Sequence, residues 1–195
     1  MLLSYDRLQN TPVMSLQTGS ELARTNHILV DPRDLTIVAY ELEGHMLDQK
    51  PSFLRPIDVR ELSNLGLIVD SNDEFVGIDD VIRIKQVVGY GFDLIGMEVV
   101  DDKGKKLGKV QAFNVDSGSF SVQQLVIRRP IFKSFGEGEL LIHRSQIIEV
   151  KDSHIKVRST AIDEPAKGSL REYANPFRSG NVQPEVIDTS EPSWP

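Results

Sequence analysis

Short apolar runs alternate with polar positions along this chain, and Gly, Pro and Asp interrupt the runs at close intervals. Period-two alternation bounded by turn residues is the signature of β-strands. It predicts strands at 13–16, 24–30, 35–42, 53–54 and 65–70 in the first part. In the second part it predicts strands at 94–100, 107–115, 120–128, 139–143 and 155–157. Residues 1–11 form a lead-in in which Leu2 and Leu3 suit an edge strand. Asp31-Pro32-Arg33-Asp34 is a turn with Pro at its second position, where a fixed φ fits. Residues 56–62 fit one helical turn. Between the two parts, residues 77–92 fit either a short helix carrying Val81, Ile82, Lys85 and Val88 or a strand, because the segment is rich in β-branched residues. Gly89-Tyr90-Gly91 is the expected hinge into the second part.

The two parts are copies. Residues 18–42 recur without a gap 85 residues later, at 103–127. Gly19 falls on Gly104, Leu22 on Leu107, Ile28 on Phe113, Asp31 on Asp116, Leu35 on Phe120 and Ile37 on Val122. After a three-residue change of offset, Val59 meets Ile147, Leu67 meets Ile155 and Val69 meets Val157. A unit of five or six short strands with tight turns favours a small antiparallel barrel, since closing a sheet removes its exposed edges. The expected fold is mainly β: two tandem small antiparallel β-barrels with short helical turns. The expected division is 1–76, a connector at 77–92, a second barrel at 93–160 and a disordered tail at 161–195. The tail holds Pro165, Pro176, Pro184, Pro192 and Pro195 and few large aliphatics, too little to offset the entropy of ordering it.

Charge refines this picture. The chain carries 29 Asp/Glu against 22 Lys/Arg. Residues 12–82 hold 13 acidic and 5 basic groups, whereas 89–160 hold 9 and 11. General nucleic-acid binding by the whole chain is therefore disfavoured, and one basic face remains open on the second copy. There is no Cys, hence no disulfide framework, thiol nucleophile or thiolate metal site. No apolar run approaches a membrane span and the first residues do not read as a signal peptide, so a soluble cytoplasmic protein is expected.

Residues 93–110, DLIGMEVVDDKGKKLGKV, resemble the opening of a PRC-barrel domain, and residues 13–32 resemble a variant of it with a Thr-Gly turn. The resemblance covers about 12–70 and 93–158. It departs at Ala23, which stands where the second copy has Gly108. The family's fold is a small, mostly antiparallel β-barrel. It occurs in the H subunit of photosynthetic reaction centres, in RimM-type ribosome maturation factors and in small stand-alone proteins. The likeness implies a protein-interaction or assembly module, and it carries over no catalytic set.

The residues themselves offer little chemistry. His27, His45, His143 and His154 make no metal-binding spacing, and a surface or strand-end role suits each. Residues 70–74 imitate the start of a calcium loop, but Phe75 stands where Gly is needed and Val81 where Glu is needed. Gly89 and Gly91 lack the third glycine of a dinucleotide fingerprint. Ser residues lie in no nucleophile elbow. The expectation is a non-enzyme with no catalytic residue, cofactor or metal. Candidate partner-binding residues are Lys103, Lys105, Lys106 and Lys109 around one turn, and Arg128 and Arg129 after the next hairpin. Phe132 and Phe135 in the loop beyond it and Trp194 in the tail complete the set. The plain alternative for the basic groups is a solvated turn; for the two Phe it is the seam between barrels. The partner is another protein, with ribosome or RNA binding through the second domain as one alternative. A small-molecule-binding enzyme subunit is the other, and a deep pocket with convergent polar groups would favour it.

Overall fold

The computed structural model describes residues 1–128 and 139–158. Residues 1–161 form one compact unit. The described residues contain fourteen strands, one α-helix and four 3₁₀ turns, so the fold is mainly β. The strands are β1 (Leu2–Ser4), β2 (Pro12–Ser15), β3 (Glu21–Asp31), β4 (Thr36–Glu43), β5 (Ser52–Leu54), β6 (Glu61–Ser63), β7 (Gly66–Val69) and β8 (Phe75–Gly77). Helix α1 (Ile82–Tyr90) follows, then β9 (Glu98–Asp101), β10 (Lys106–Asp116), β11 (Val122–Arg128), β12 (Glu139–His143), β13 (Ile147–Val150) and β14 (His154–Val157).

Two sheets carry these strands. The order β6-β7-β2-β3-β4-β5 in the first is matched by β13-β14-β9-β10-β11-β12 in the second. The correspondence extends to single residues. In β3–β4 the pairs Thr25–Leu42, Ile28–Tyr40 and Val30–Ile37 are separated by bulges, and Val110–Ile127, Phe113–Leu125 and Val115–Val122 repeat them 85 residues on. At the opening turn the two sheets differ by one residue. Ser15 N–H donates to Ser20 O, whereas Asp101 N–H donates to Lys105 O, each at 2.9 Å.

The expectation of wholly antiparallel, closed barrels is corrected. Both sheets are mixed: β2 runs parallel to β7, and β9 parallel to β14. Their hydrogen-bonded ladders are open paths. The cause lies in the 3₁₀ turns Pro56–Asp58 and Arg144–Gln146. A hairpin reverses the chain, but each of these turns passes it from β5 to β6, or from β12 to β13, in the same sense. The closing strand therefore returns parallel to the opening one.

The inward faces form the core. Val13, Ile28, Val30, Tyr40, Leu42, Leu54 and Leu67 fill the first sheet; Val99, Phe113, Val115, Leu125, Ile127 and Ile155 fill the second. The continuous apolar runs of β3 and β4 have a further reason. Leu29, Val38, Ala39 and Phe53 lie on the opposite face and bury against Ile84 and Val87 of α1. A strand covered on both faces loses clean alternation. This packing also decides the helix over the strand that β-branched residues would favour. Fully burying a residue such as Ile84 contributes about 1.5–3 kcal/mol. The buried helix positions are Ile84 and Val87, while Ile82 is exposed. Asp79 and Asp80 do not cap the helix; they bond Lys85 Nζ and Gly77 N–H. Gly91, at φ +59°, ends it.

The lead-in does more than approach the first sheet. β1 pairs with β10 of the second, Leu3 opposite Val115, and Tyr5 packs on Phe113 with ring centroids 5.1 Å apart. Gly19 and Gly104 both have positive φ, as their recurrence implies. Gly108 has φ +150°, and a Cβ there would fall on the Arg128 carbonyl. Ala23 has no positive φ. Close approach is instead made across from it by Gly44, whose added Cβ would lie 3.1 Å from Ala23 Cα. Residues 161–195, expected to be a disordered tail, lie outside the described residues.

Candidate functional site

The second sheet carries most of the sequence-predicted groups. Lys103 and Lys105 sit on the turn between β9 and β10. Their backbone amides donate to Asp101 Oδ1 at 2.9 and 2.7 Å, so a buried carboxylate fixes the turn that displays them. Lys106 Nζ donates to Glu98 Oε2 at 2.9 Å. Lys109 stands opposite Glu98 on one side and Arg128 on the other, and Arg128 stands opposite Glu139. The strands thus line up His154, Glu98, Lys109, Arg128 and Glu139 in one row. Acidic neighbours flank the basic pair in that row, which makes it a mixed ladder rather than a single-sign phosphate track. Arg129, Phe132, Phe135 and Trp194 lie outside the described residues.

Beside the ladder runs a second row that charge patterning did not reveal. Ala112, Val126 and Leu141 stand opposite one another on β10, β11 and β12, and Leu141 is 57% exposed. A third row, Asn114–Gln124–His143, borders it, with Asn114 Nδ2 donating to Gln124 Oε1 at 3.0 Å. The first sheet has α1 against Leu29 and Ala39, the residues corresponding to Asn114 and Gln124. The polar residues at these positions of the second sheet suit a face on which no helix packs among the described residues.

A charged network ties α1 to the first hairpin. The side chain of Asp31 is buried yet ionised. Arg33 Nη2 donates to its Oδ2 at 2.7 Å and Arg83 Nη2 at 3.2 Å. These guanidinium bonds, Arg33 first, outweigh the effect of burial and lower the Asp31 pKa to about 2. Arg83 also reaches Asp34 and Thr36, and Arg33 lies over the Tyr90 ring at 5.7 Å. Every charge here has a partner, so the cluster reads as a clamp rather than as catalysis.

A third feature was missed entirely. A partly open cavity of about 310 Å³ is lined by the lead-in, the first sheet and the turn before β11. Leu3, Leu8, Leu62, Leu67 and Phe120 form its apolar walls, Tyr40 faces it, and Arg7, Arg60 and Glu61 reach it. Tyr40 is 1% exposed, and its burial raises the phenol pKa well above the ordinary range. Each contributing residue reads locally as core or surface, so no sequence signal marks the cavity.

Among the described residues no group of three or more His, Asp or Glu side chains could hold a metal ion. None of their helices is long and apolar enough to cross a membrane. Residues 87–163 match the family model of the PRC-barrel domain, which bears out the resemblance read from 93–110. No curated protein matches the chain.

Proposed function

We propose that this PRC-barrel-bearing chain is a non-catalytic, cytoplasmic assembly module, and that its first half is a diverged second copy of the same domain. The repeated strand order, register and bulges support the duplication. The observation that carries the interaction reading is the outer face of the second sheet. There an apolar row ending in exposed Leu141 runs beside the row of Lys109 and Arg128, with Lys103 and Lys105 on the turn between β9 and β10. An apolar strip rimmed by charge is how protein partners are commonly met. The basic members favour an acidic partner protein, and the interleaved Glu98 and Glu139 weigh against an RNA backbone.

The reading is tested with the whole chain carrying Leu141→Asp or Lys105→Glu. Cross-linking in a native lysate followed by mass spectrometry should recover one protein on this face. Each variant should lose it with little change in thermal stability. Recovery unaffected by both substitutions, or capture of RNA instead, overturns the proposal.

A further inference from the structure

The Tyr40 cavity has the composition of a ligand site. Tyr40 lies in the middle of β4, opposite Ile28 on one side and Leu54 on the other. Its hydroxyl makes no hydrogen bond among the described residues, yet the only enclosed side-chain polar atom without a partner there is Gln9 Oε1. The Tyr40 hydroxyl is therefore not fully enclosed, and the residue lines this cavity. A hydrogen bond from such a hydroxyl to a ligand atom contributes about 0.5–1.5 kcal/mol. Because burial holds the phenol neutral, it is available there as a donor.

The charged residues of the lining are unequal in their freedom. Arg60 is held by Asp70, Nη2 to Oδ2 at 2.6 Å. Arg7 has no side-chain partner among the described residues. Much of the remaining lining is leucine and phenylalanine. About 310 Å³ is near the lower limit for small-molecule pockets and fits a body of one ring. Glu61, in the same lining, disfavours a second negative charge on an occupant.

We propose that this cavity binds a small monocarboxylic acid with an apolar body and a hydrogen-bond acceptor at its far end. Arg7 pairs with the carboxylate, the leucines and Phe120 enclose the body, and the Tyr40 hydroxyl donates to the distal acceptor. Because the cavity spans the lead-in, the first sheet and the Phe120 turn, an occupant would also brace the two halves against each other.

The probes are 4-hydroxyphenylacetate and phenylacetate, titrated into the full-length protein and followed by calorimetry and by amide NMR shifts. The hydroxylated acid should bind about tenfold more tightly, the worth of one hydrogen bond of about 1.4 kcal/mol. Tyr40→Phe, which keeps the packing, should make the two acids equal. Arg7→Gln should weaken both about tenfold, and Leu62→Trp, which fills the space, should abolish both. Absence of binding at about 10 mM overturns the proposal. So do affinities that are indifferent to Tyr40→Phe and to Arg7→Gln.

Discussion

The Leu35 carbonyl accepts the Val122 amide at 2.8 Å, and the Phe120 carbonyl accepts the Ile37 amide at 2.9 Å. Leu35 and Phe120 hold corresponding positions in the two sheets, as do Ile37 and Val122. Thr36 and Ser121, between them, form an antiparallel bridge. This reciprocal pair relates the two hairpins by a local two-fold. Both Leu35 and Phe120 are left-handed, at φ +51° and +53°. That conformation is uncommon for large apolar residues. Each ends a turn in which its own N–H bonds the carbonyl four residues back, on Asp31 or Asp116, at 2.8 Å. The strain persists because each carbonyl is thereby turned toward the other half.

Replacing Leu35 tests that strain. Leu35→Met keeps the volume and an unbranched Cβ, whereas Leu35→Ile puts a β-branched residue at positive φ. Leu35→Ile should be the less stable by at least about 1 kcal/mol, read as a lower urea midpoint. Equal midpoints would remove the backbone from the explanation.

The joint should make the halves unfold together. Arg144 reinforces it: Nη1 donates to Val122 O at 3.0 Å and Nη2 to Asp34 O at 2.6 Å. Calorimetry of the intact protein should show one transition for both sheets. Arg144→Ala should lower its midpoint, by a loss of about 1.5–3 kcal/mol for bonds to a charged group. Two transitions, one per sheet, would refute this.

Three glycines should separate cleanly. Gly108→Ala faces both positive φ and the Arg128 carbonyl, and should be the most damaging. Gly104→Ala, at φ +83° in open space, should cost about 1 kcal/mol. Gly118 has no positive φ and should change stability by no more than about 0.5 kcal/mol. Denaturant midpoints of the three variants give the ranking, and a Gly118 effect equal to that of Gly104 would contradict it.

Asp31 predicts a pH dependence. Its folded pKa, about 2, lies below the ordinary carboxylate value. Its stabilisation is therefore complete above about pH 4 and is lost as pH falls toward 2. The contribution is on the order of 2 kcal/mol at neutral pH. Asp31→Asn should melt lower than the wild type at pH 7, and the two should converge near pH 2. A gap that persists at pH 2 would assign the loss to packing.

Helix α1 should behave as core. Ile84→Ala should cost about 2–5 kcal/mol, because its side chain is wholly buried on the first sheet. Ile82→Ala, on the exposed side, should shift the melting temperature little.

The amino-acid sequence by itself determined the mainly β class, the two-part plan and most strand positions. Turn glycines and period-two alternation are local signals, and Gly19 and Gly104 announce their backbone by recurring. It also marked the basic turn from Lys103 to Lys109. Tertiary structure decided what depends on distant partners. The helix at 82–90 exists because Leu29, Ala39 and Phe53 offer it an apolar face. Parallel closure follows from turns that carry the chain onward instead of reversing it. Glu98 and Glu139 temper Lys109 and Arg128 only because the register sets them in one row. Tyr40 reads as an ordinary core residue until Leu3, Leu62 and Phe120, far apart in the chain, line one cavity with it. A cavity is a property of several surfaces at once, and no single stretch of sequence carries it.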